Sequence, residues 1–324
     1  MENSVLRKRF VSDYNLPIQV LQNPYFEEYL ERYEPQYGTL TKWNMLIEMV
    51  NTHFNGNPEE WLSYYAKVRD NIINTIENSE PYKVFCNCDM SQYLEGAKQI
   101  TVGDVNIYNE SNVGRVFISI DLRKANFQAL NLYDKNILLN SETYDDFINN
   151  FTDVEYIKES KYTRQVIFGK LNPKRTVQIE KYIMSQIAQS GYPLIREIEA
   201  CGGKLISFKS DELVYDVTDV DEAIIGLTLE DMVQKLKTEK NIDVRIEYFG
   251  LNLLKFYDHR EHTIPVYEKE MYNTPQNELK QAPQTFFPQI HRIYNGETVQ
   301  ENDLVFYHEH QLAKFMYPIY LKTE

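Results

Sequence analysis

The sequence predicts an α+β fold: a helical N-terminal block, an antiparallel sheet with helices packed on it, and a small β-rich C-terminal extension. Three observations carry this. Apolar residues recur at helical spacing through much of the first 80 positions. A strongly alternating run occupies 115–121. Two short β-prone runs, 204–209 and 213–217, are split by a polar break and read as a hairpin.

Taken in order, residues 1–23 read as irregular, with short apolar pieces. From Pro24 to Tyr37, Phe26, Tyr29, Leu30 and Tyr33 fall on one helical face, as do Trp43, Leu46, Ile47 and Val50 within 40–54. Asn57 followed by Pro58, Glu59 and Glu60 is a helix start: a cap, a proline at the first helical position, then acids. That helix should run to about Ser79, and strand-like material begins near Tyr82. In the run ending at Asp121, Val116, Ile118 and Ile120 share one face, while Phe117, Ser119 and Asp121 share the other. Helices are expected over 123–133, 144–151 and, after Asn172-Pro173, over 174–189. The hairpin follows, then a helix over 229–239, a strand over 242–248, and short strands and turns with a helix at 284–294. Boundaries near 80 and 240 give a helical region (1–80), a sheet domain (81–240) and the extension (241–324).

The composition sets limits. With 324 residues and 43% hydrophobic content, the chain can bury a sizeable core. No run approaches the ~18 apolar residues of a transmembrane helix, and the start lacks the apolar centre of a secretory signal. Cys86, Cys88 and Cys201 make no disulfide framework, so a reducing compartment, the cytoplasm, is expected, and no membrane partner. The net charge of −14 argues against a protein that grips nucleic acid over its whole surface, but leaves room for a local basic track. Enrichment in Tyr, Asn, Ile and Lys fits an AT-rich genome, as in many bacteriophages and some bacteria; for a phage protein the compartment is the host cytoplasm.

The residues that carry chemistry are carboxylates. Phosphoryl transfer to a sugar hydroxyl can be catalysed by two divalent ions about 3.5–4 Å apart. Mg²⁺ or Mn²⁺ needs oxygen ligands from rigid neighbouring elements, with room left for substrate phosphates. Asp121 ends an apolar strand and precedes a helix, and Asp211 and Glu212 sit at the hairpin tip. If the strands pair, all three lie at one edge of the sheet, as catalytic metal ligands would.

The string Ser210-Asp211-Glu212-Leu213-Val214-Tyr215-Asp216-Val217 resembles motif C of family A DNA polymerases, with Ser210 where that family usually has His. The strand ending at Asp121 and the helix after it are similar to motif A. The resemblance implies a palm-like sheet with Asp121, Asp211 and Glu212 as catalytic metal ligands. It also implies a reduced fingers region over about 155–190. There Lys161 and Arg164 would hold the triphosphate, Phe168-Gly169 would match a Phe-Gly step, and Lys170 would contact the nucleotide. Asn126, five residues after Asp121, takes the place of the residue that meets the sugar. Asn172-Pro173 replaces the second glycine-tyrosine step of motif B, and the short interval from Asp121 to Asp211 argues against processive copying. The Ser-x-Asp-Glu pattern of Y-family polymerases is similar to 209–216, and the reverse-transcriptase motif A is similar to Asp121–Phe127 with one residue inserted. The implied activity is addition of nucleotides to a 3′ hydroxyl, as in a DNA or RNA polymerase. Its partners would be nucleoside triphosphates and a DNA or RNA primer-template.

That strand would follow a basic track of Lys158, Lys161, Arg164, Lys170, Lys174, Arg175 and Lys181, interrupted by two acids, Glu159 and Glu180. The competing reading of the track is a solvated helix face. For the chain as a whole, the competing reading is a non-enzymatic interaction or structural protein with a degenerate palm. Cys86 and Cys88 lack a second metal-spaced pair, Gly202-Gly203 reads as a turn, and His259, His262, His308 and His310 read as surface residues.

Overall fold

The computed structural model describes residues 4–98, 100–189, 193–309 and 311–322; His310 lies outside them. Helices Ser4–Tyr14, Tyr25–Arg32, Glu34–Tyr37, Thr39–Phe54, Pro58–Asn78, Glu80–Asn87 and Ser91–Ala97 form the N-terminal block. Asn57 caps the fifth of these as expected, accepting from the Glu59 N–H at 3.0 Å. Two segments depart from expectation. The first residues are helical rather than irregular, because Leu6 and Phe10 are buried one turn apart and Arg9 pairs with Asp13 at 2.8 Å across the next turn. The chain after Tyr82 is also helical. Ser79 caps the Tyr82 N–H, Pro81 stands in the first turn, and Tyr82 and Phe85 are buried.

The sheet contains β1 (Val116–Leu122), β2 (Lys204–Phe208), β3 (Glu212–Asp216), β4 (Val244–Tyr257), β5 (Thr263–Met271) and β6 (Glu278–Lys280), in the antiparallel order β2-β3-β1-β4-β5-β6. Two further strands, β7 (Val305–His308) and β8 (Gln311–Lys314), form a separate ribbon, and β9 (Tyr320–Leu321) pairs with the end of β4. Helices lead from β1 to β2, and the Glu222–Lys240 helix leads from β3 to β4. The first four strands therefore follow the split β-α-β-β-α-β pattern. Gly202, at φ 92°, makes the turn into β2, and a side chain at Gly203 would collide with the Ile198 carbonyl at 2.8 Å.

The alternation of β1 divides the sheet into two faces. Ile118, Ile120 and Leu122, with Leu213, Tyr215, Val244 and Ile246, enter the main core under the helices. Phe117, Val214 and Phe249 lie in a smaller cluster on the other face, closed by Ile107 and Met271. That second face also carries Ser119 and Asp121.

The expected division at 240 cuts through the sheet. β4 lies directly beside β1, with Asp121 opposite Arg245, and the main core runs without a break from Leu6 to Val305. Among the described residues no helix is long and apolar enough to cross a membrane.

A buried charge cluster ties the two ends of the chain together. Asp303, fully buried, meets Arg32 and Arg292, and it accepts from the Gln300 N–H at 2.8 Å. Arg292 also reaches Glu28 at 2.7 Å. Replacing Asp303 would remove the buried carboxylate that Arg32 and Arg292 share, leaving the more exposed Glu28 as the acid common to both. Asp303→Ala should therefore lower stability by about 3–5 kcal/mol. Urea unfolding should show this as a lower midpoint in a single transition, because one core spans both ends.

Candidate active site

The position of the hairpin tip is set by backbone bonds. Lys209 N–H donates to the Glu212 carbonyl at 2.9 Å and closes the turn, leaving Ser210 and Asp211 at the tip. Leu122 N–H then donates to the Asp211 carbonyl at 2.8 Å, which fixes that tip against the end of β1. Register completes the arrangement, since Asp121 lies opposite Glu212 on one side and Arg245 on the other. The side chains of Asp121 and Asp211 open into one cleft of about 500 Å³, shared with Arg123, Lys124, Asn126, Lys161, Arg164, Gln165, Glu180 and Arg245. Five residues expected at the site from sequence, Asp121, Asn126, Lys161, Arg164 and Asp211, thus meet in a single hollow.

The acidic side of the cleft is charged against its surroundings. Burial pushes Asp121 up; Arg245, 3.4 Å away, opposes this, and Asp211, Glu212 and Glu247 add to it, giving about 6. Glu212 is different. Burial works against its charge, but a 2.7 Å hydrogen bond from Ser119 Oγ and the charge of Lys209 at 3.1 Å hold it below the ordinary Glu value. Its carboxylate is committed to those two partners and does not line the cleft.

The cationic side is built on Tyr144. This side chain, 1% exposed, has Lys124 Nζ 4.9 Å and the Arg164 guanidinium 5.5 Å from its ring centre. Lys124 also pairs with Asp145 at 2.8 Å. Burial lowers the Arg164 pKa, against the pull of Tyr144 and Asp145, and Arg164 has no ion-pair partner among the described residues. Lys161, one turn earlier on the Lys161–Lys170 helix, is exposed at the cleft.

Three residues expected at the site are not brought to the cleft: Glu212, whose carboxylate is held by Ser119 and Lys209 rather than offered to a metal, and Phe168 and Lys170. Phe168 is buried in the helical core, its ring 6.4 Å from that of Tyr144, so it supports the residue under Arg164 and presents no face to a nucleotide. Lys170 ends the same helix on the exposed surface, outside the cleft lining. Within the basic track, Arg175 is bound to the Cys88 carbonyl and Lys158 pairs with Glu155 at 3.4 Å, while Lys181 lines a groove on the other side of Asp211 with Lys98 and Lys209.

Glu180 is the residue sequence reasoning passed over. It is 2% exposed, and the amide of Asn126 donates to its carboxylate. Burial first, and then the charge of Asp211, push it to about 7, with the Asn126 bond acting the other way. A signal was present. Thr176, Glu180, Ile183 and Ile187 form the buried stripe of the Pro173–Gln189 helix, and a carboxylate on such a stripe is unusual enough to mark a site.

The donor set suits a hard divalent cation. Among the described residues no group of three His, Cys, Asp or Glu is gathered tightly enough to cage an ion alone. Asp121 and Asp211, open to the same cleft, would leave coordination positions for phosphate and water. The raised Asp121 pKa marks negative charge that a cation there would relieve. No family model and no curated protein matches this chain.

The charge at Asp121 has a consequence for stability. Its folded pKa, about 6, lies above the ordinary value of 3.8, so ionisation destabilises the fold. The penalty is absent below about pH 4, grows as pH rises towards 6, and is full above that. Asp121→Asn should therefore be more stable than the native protein at pH 8, by about 1–2 kcal/mol after allowing for solvent screening. Thermal melts should show the gap closing by pH 4, and Mg²⁺ or Mn²⁺ should raise the native Tm more than that of the variant.

Proposed function

We propose that this protein is a metal-dependent nucleotidyltransferase of the nucleic acid polymerase type, adding nucleotides to the 3′ hydroxyl of a DNA or RNA strand. The observation that carries the reading is the convergence of Asp121 and Asp211 with Lys161 and Arg164 in one cleft. Two carboxylates facing two cations is an arrangement for a triphosphate whose reacting phosphorus sits at the acidic end.

In this reading Asp121 and Asp211 hold Mg²⁺ or Mn²⁺, which when bound lowers the pKa of the attacking hydroxyl and offsets charge on the transferring phosphate. Arg164 and Lys161 bind the outer phosphates, which leave as pyrophosphate when the 3′ oxygen bonds the α-phosphorus and the hydroxyl proton passes to water. Arg164 is suited to the task because its guanidinium is partly desolvated and free of a carboxylate partner among the described residues. Arg245, shared between Asp121 at 3.4 Å and Glu247 at 3.2 Å, keeps the Asp121 carboxylate oriented. Glu212, anchored by Ser119 and Lys209, holds the hairpin tip in place beside the reacting groups. The strand that supplies the hydroxyl would lie in the groove beyond Asp211, where Lys98, Lys181 and Lys209 meet its phosphates. Most of the catalytic effect asked of these residues is positioning and charge stabilisation, as phosphoryl transfer requires.

Labelled-nucleotide incorporation on primed and unprimed DNA and RNA, with Mg²⁺ or Mn²⁺, tests the reading. Asp121→Ala/Asp211→Ala should abolish incorporation. Arg164→Ala should raise the KM for nucleotide and lower kcat/KM by about 10²-fold or more, as expected for loss of a charged contact to phosphate. Activity that survives the double substitution would remove the site assignment. Absence of both incorporation and metal-dependent nucleotide binding would favour an interaction role instead.

A further inference from the structure

We propose that Glu180 and Asn126 together read the hydroxyls of the nucleotide's sugar, so that the protein takes ribonucleotides in preference to deoxyribonucleotides. The inference rests on the nucleotidyl-transfer reading of the cleft.

Glu180 is a buried acid that the transfer chemistry does not use. It stands on the apolar stripe of its helix, 2% exposed, where a leucine would be the ordinary occupant. No cation among the described residues forms an ion pair with it, and among them the Asn126 amide is its one hydrogen-bond donor. One donor leaves most of a carboxylate's acceptor capacity unused, and an underused buried acceptor is costly. The cleft is the direction from which a second donor can come, since Glu180 and Asn126 both line it.

The charge pattern decides what kind of group that donor belongs to. A phosphate would be repelled by Glu180 and is drawn instead to Lys161, Arg164 and Lys124. The reacting phosphorus belongs beside Asp121 and Asp211. The sugar is joined to that phosphorus through a single ester oxygen, so it must occupy the adjoining wall. Asp211 and the Glu180–Asn126 pair line the same cleft, which puts that pair beside the reacting end.

A sugar offers hydroxyl donors, and a carboxylate accepts two from a vicinal diol, the way dinucleotide-binding sites read ribose. Asn126 is small, so it leaves room for a 2′ hydroxyl, and with its amide engaged by Glu180 its own oxygen is turned to acceptance. Deoxyribose lacks one of the two donors and leaves the buried carboxylate short. Sites built around a substrate hydroxyl reject the analogue lacking it by large factors.

The test compares kcat/KM for ATP and GTP with dATP and dGTP, alongside calorimetric binding of the same four nucleotides in Mn²⁺. The native protein should favour the ribonucleotides by about 10²-fold. In Glu180→Leu the ratio should fall to within about threefold of unity, and Glu180→Gln, which keeps one acceptor, should fall between. Should Glu180→Leu fail to fold by thermal melt, the ratio in Glu180→Gln decides. A preference for deoxyribonucleotides, or a ribonucleotide preference unchanged in the variants, overturns this inference and leaves nucleotidyl transfer standing. Metal-dependent binding that favours ribonucleotides without any transfer supports this inference and overturns the transfer reading. Binding of neither nucleotide overturns both.

Discussion

The hydrogen bond from Leu122 N–H to the Asp211 carbonyl, at 2.8 Å, is the constraint on which the candidate site depends. It joins residues far apart in sequence and ties a hairpin tip to a strand end. Side chains alternate along strands, so a slip of one residue in either pairing of β1 would carry Asp121 to the opposite face, into the apolar core. The slip is prevented by Ile118, Ile120 and Leu122, which would have to leave that core together. The hydrophobic face thus sets the register, and the register sets the carboxylates. Fully burying an aliphatic side chain stabilises by roughly 1.5–3 kcal/mol, so three of them outweigh the unfavourable charge of one aspartate.

The same balance explains how the polar face tolerates its charges. Between Asp121 and the second apolar cluster, Glu247 and Lys269 form a pair that is 6% and 3% exposed, with Lys269 Nζ 4.0 Å from the Phe249 ring centre. Such a pair contributes little net stability but is costly to break. It gives Arg245 a second carboxylate, and Arg245 is thereby kept within reach of Asp121. Serine and lysine neutralise Glu212 in a similar way. The carboxylates whose pKa burial raises most, Asp121 and Glu180, both face the cleft, beside Asp211. Charge left unbalanced where a ligand can balance it, and balanced elsewhere, is what a binding site requires.

How much of this could be read in the sequence follows from the range of each interaction. Alternation over 115–121 and the polar break at 209–212 are local, and the three strands they define lie within a residue or so of where they were expected. The helices with clear caps and apolar stripes, such as Pro58–Asn78 and Pro173–Gln189, were equally legible. Ser4–Tyr14 was not, because its buried positions are only Leu6, Phe10 and Asp13, and one of them is acidic. The Glu80–Asn87 helix was not legible either, because Tyr82, Val84 and Phe85 are β-prone and its start is marked only by Ser79 and Pro81. The place of β4 beside β1 depends on pairing across more than a hundred residues, which no local pattern encodes. Phe168 and Lys170 were expected at the site from the resemblance to a fingers helix; the orientation of that helix turns the first into the core and the second to solvent. Glu180 was counted among the charges of a basic stretch, and its meaning emerges only when helical periodicity places it on the apolar stripe.

The overall charge bears on how such a site would handle a strand. The chain carries −14, yet the cleft and the groove beyond Asp211 gather Lys98, Arg123, Lys124, Lys161, Arg164, Lys181, Lys209 and Arg245. Of these, three lysines line the groove in which a nucleic acid strand would lie. Each phosphate they neutralise releases condensed counterions, at about 0.7 in log–log slope per contact for a single strand, so three contacts give a shallow salt dependence and a modest affinity. The acidic remainder of the surface repels the rest of the polymer. Attraction confined to a few lysines beside the carboxylates favours brief engagement of a strand end over tracking along a long duplex. If the cleft works as proposed, the short interval between Asp121 and Asp211 points the same way, since it leaves little chain to enclose a template. On the proposed reading, charge distribution and chain length together favour addition of a few nucleotides per encounter.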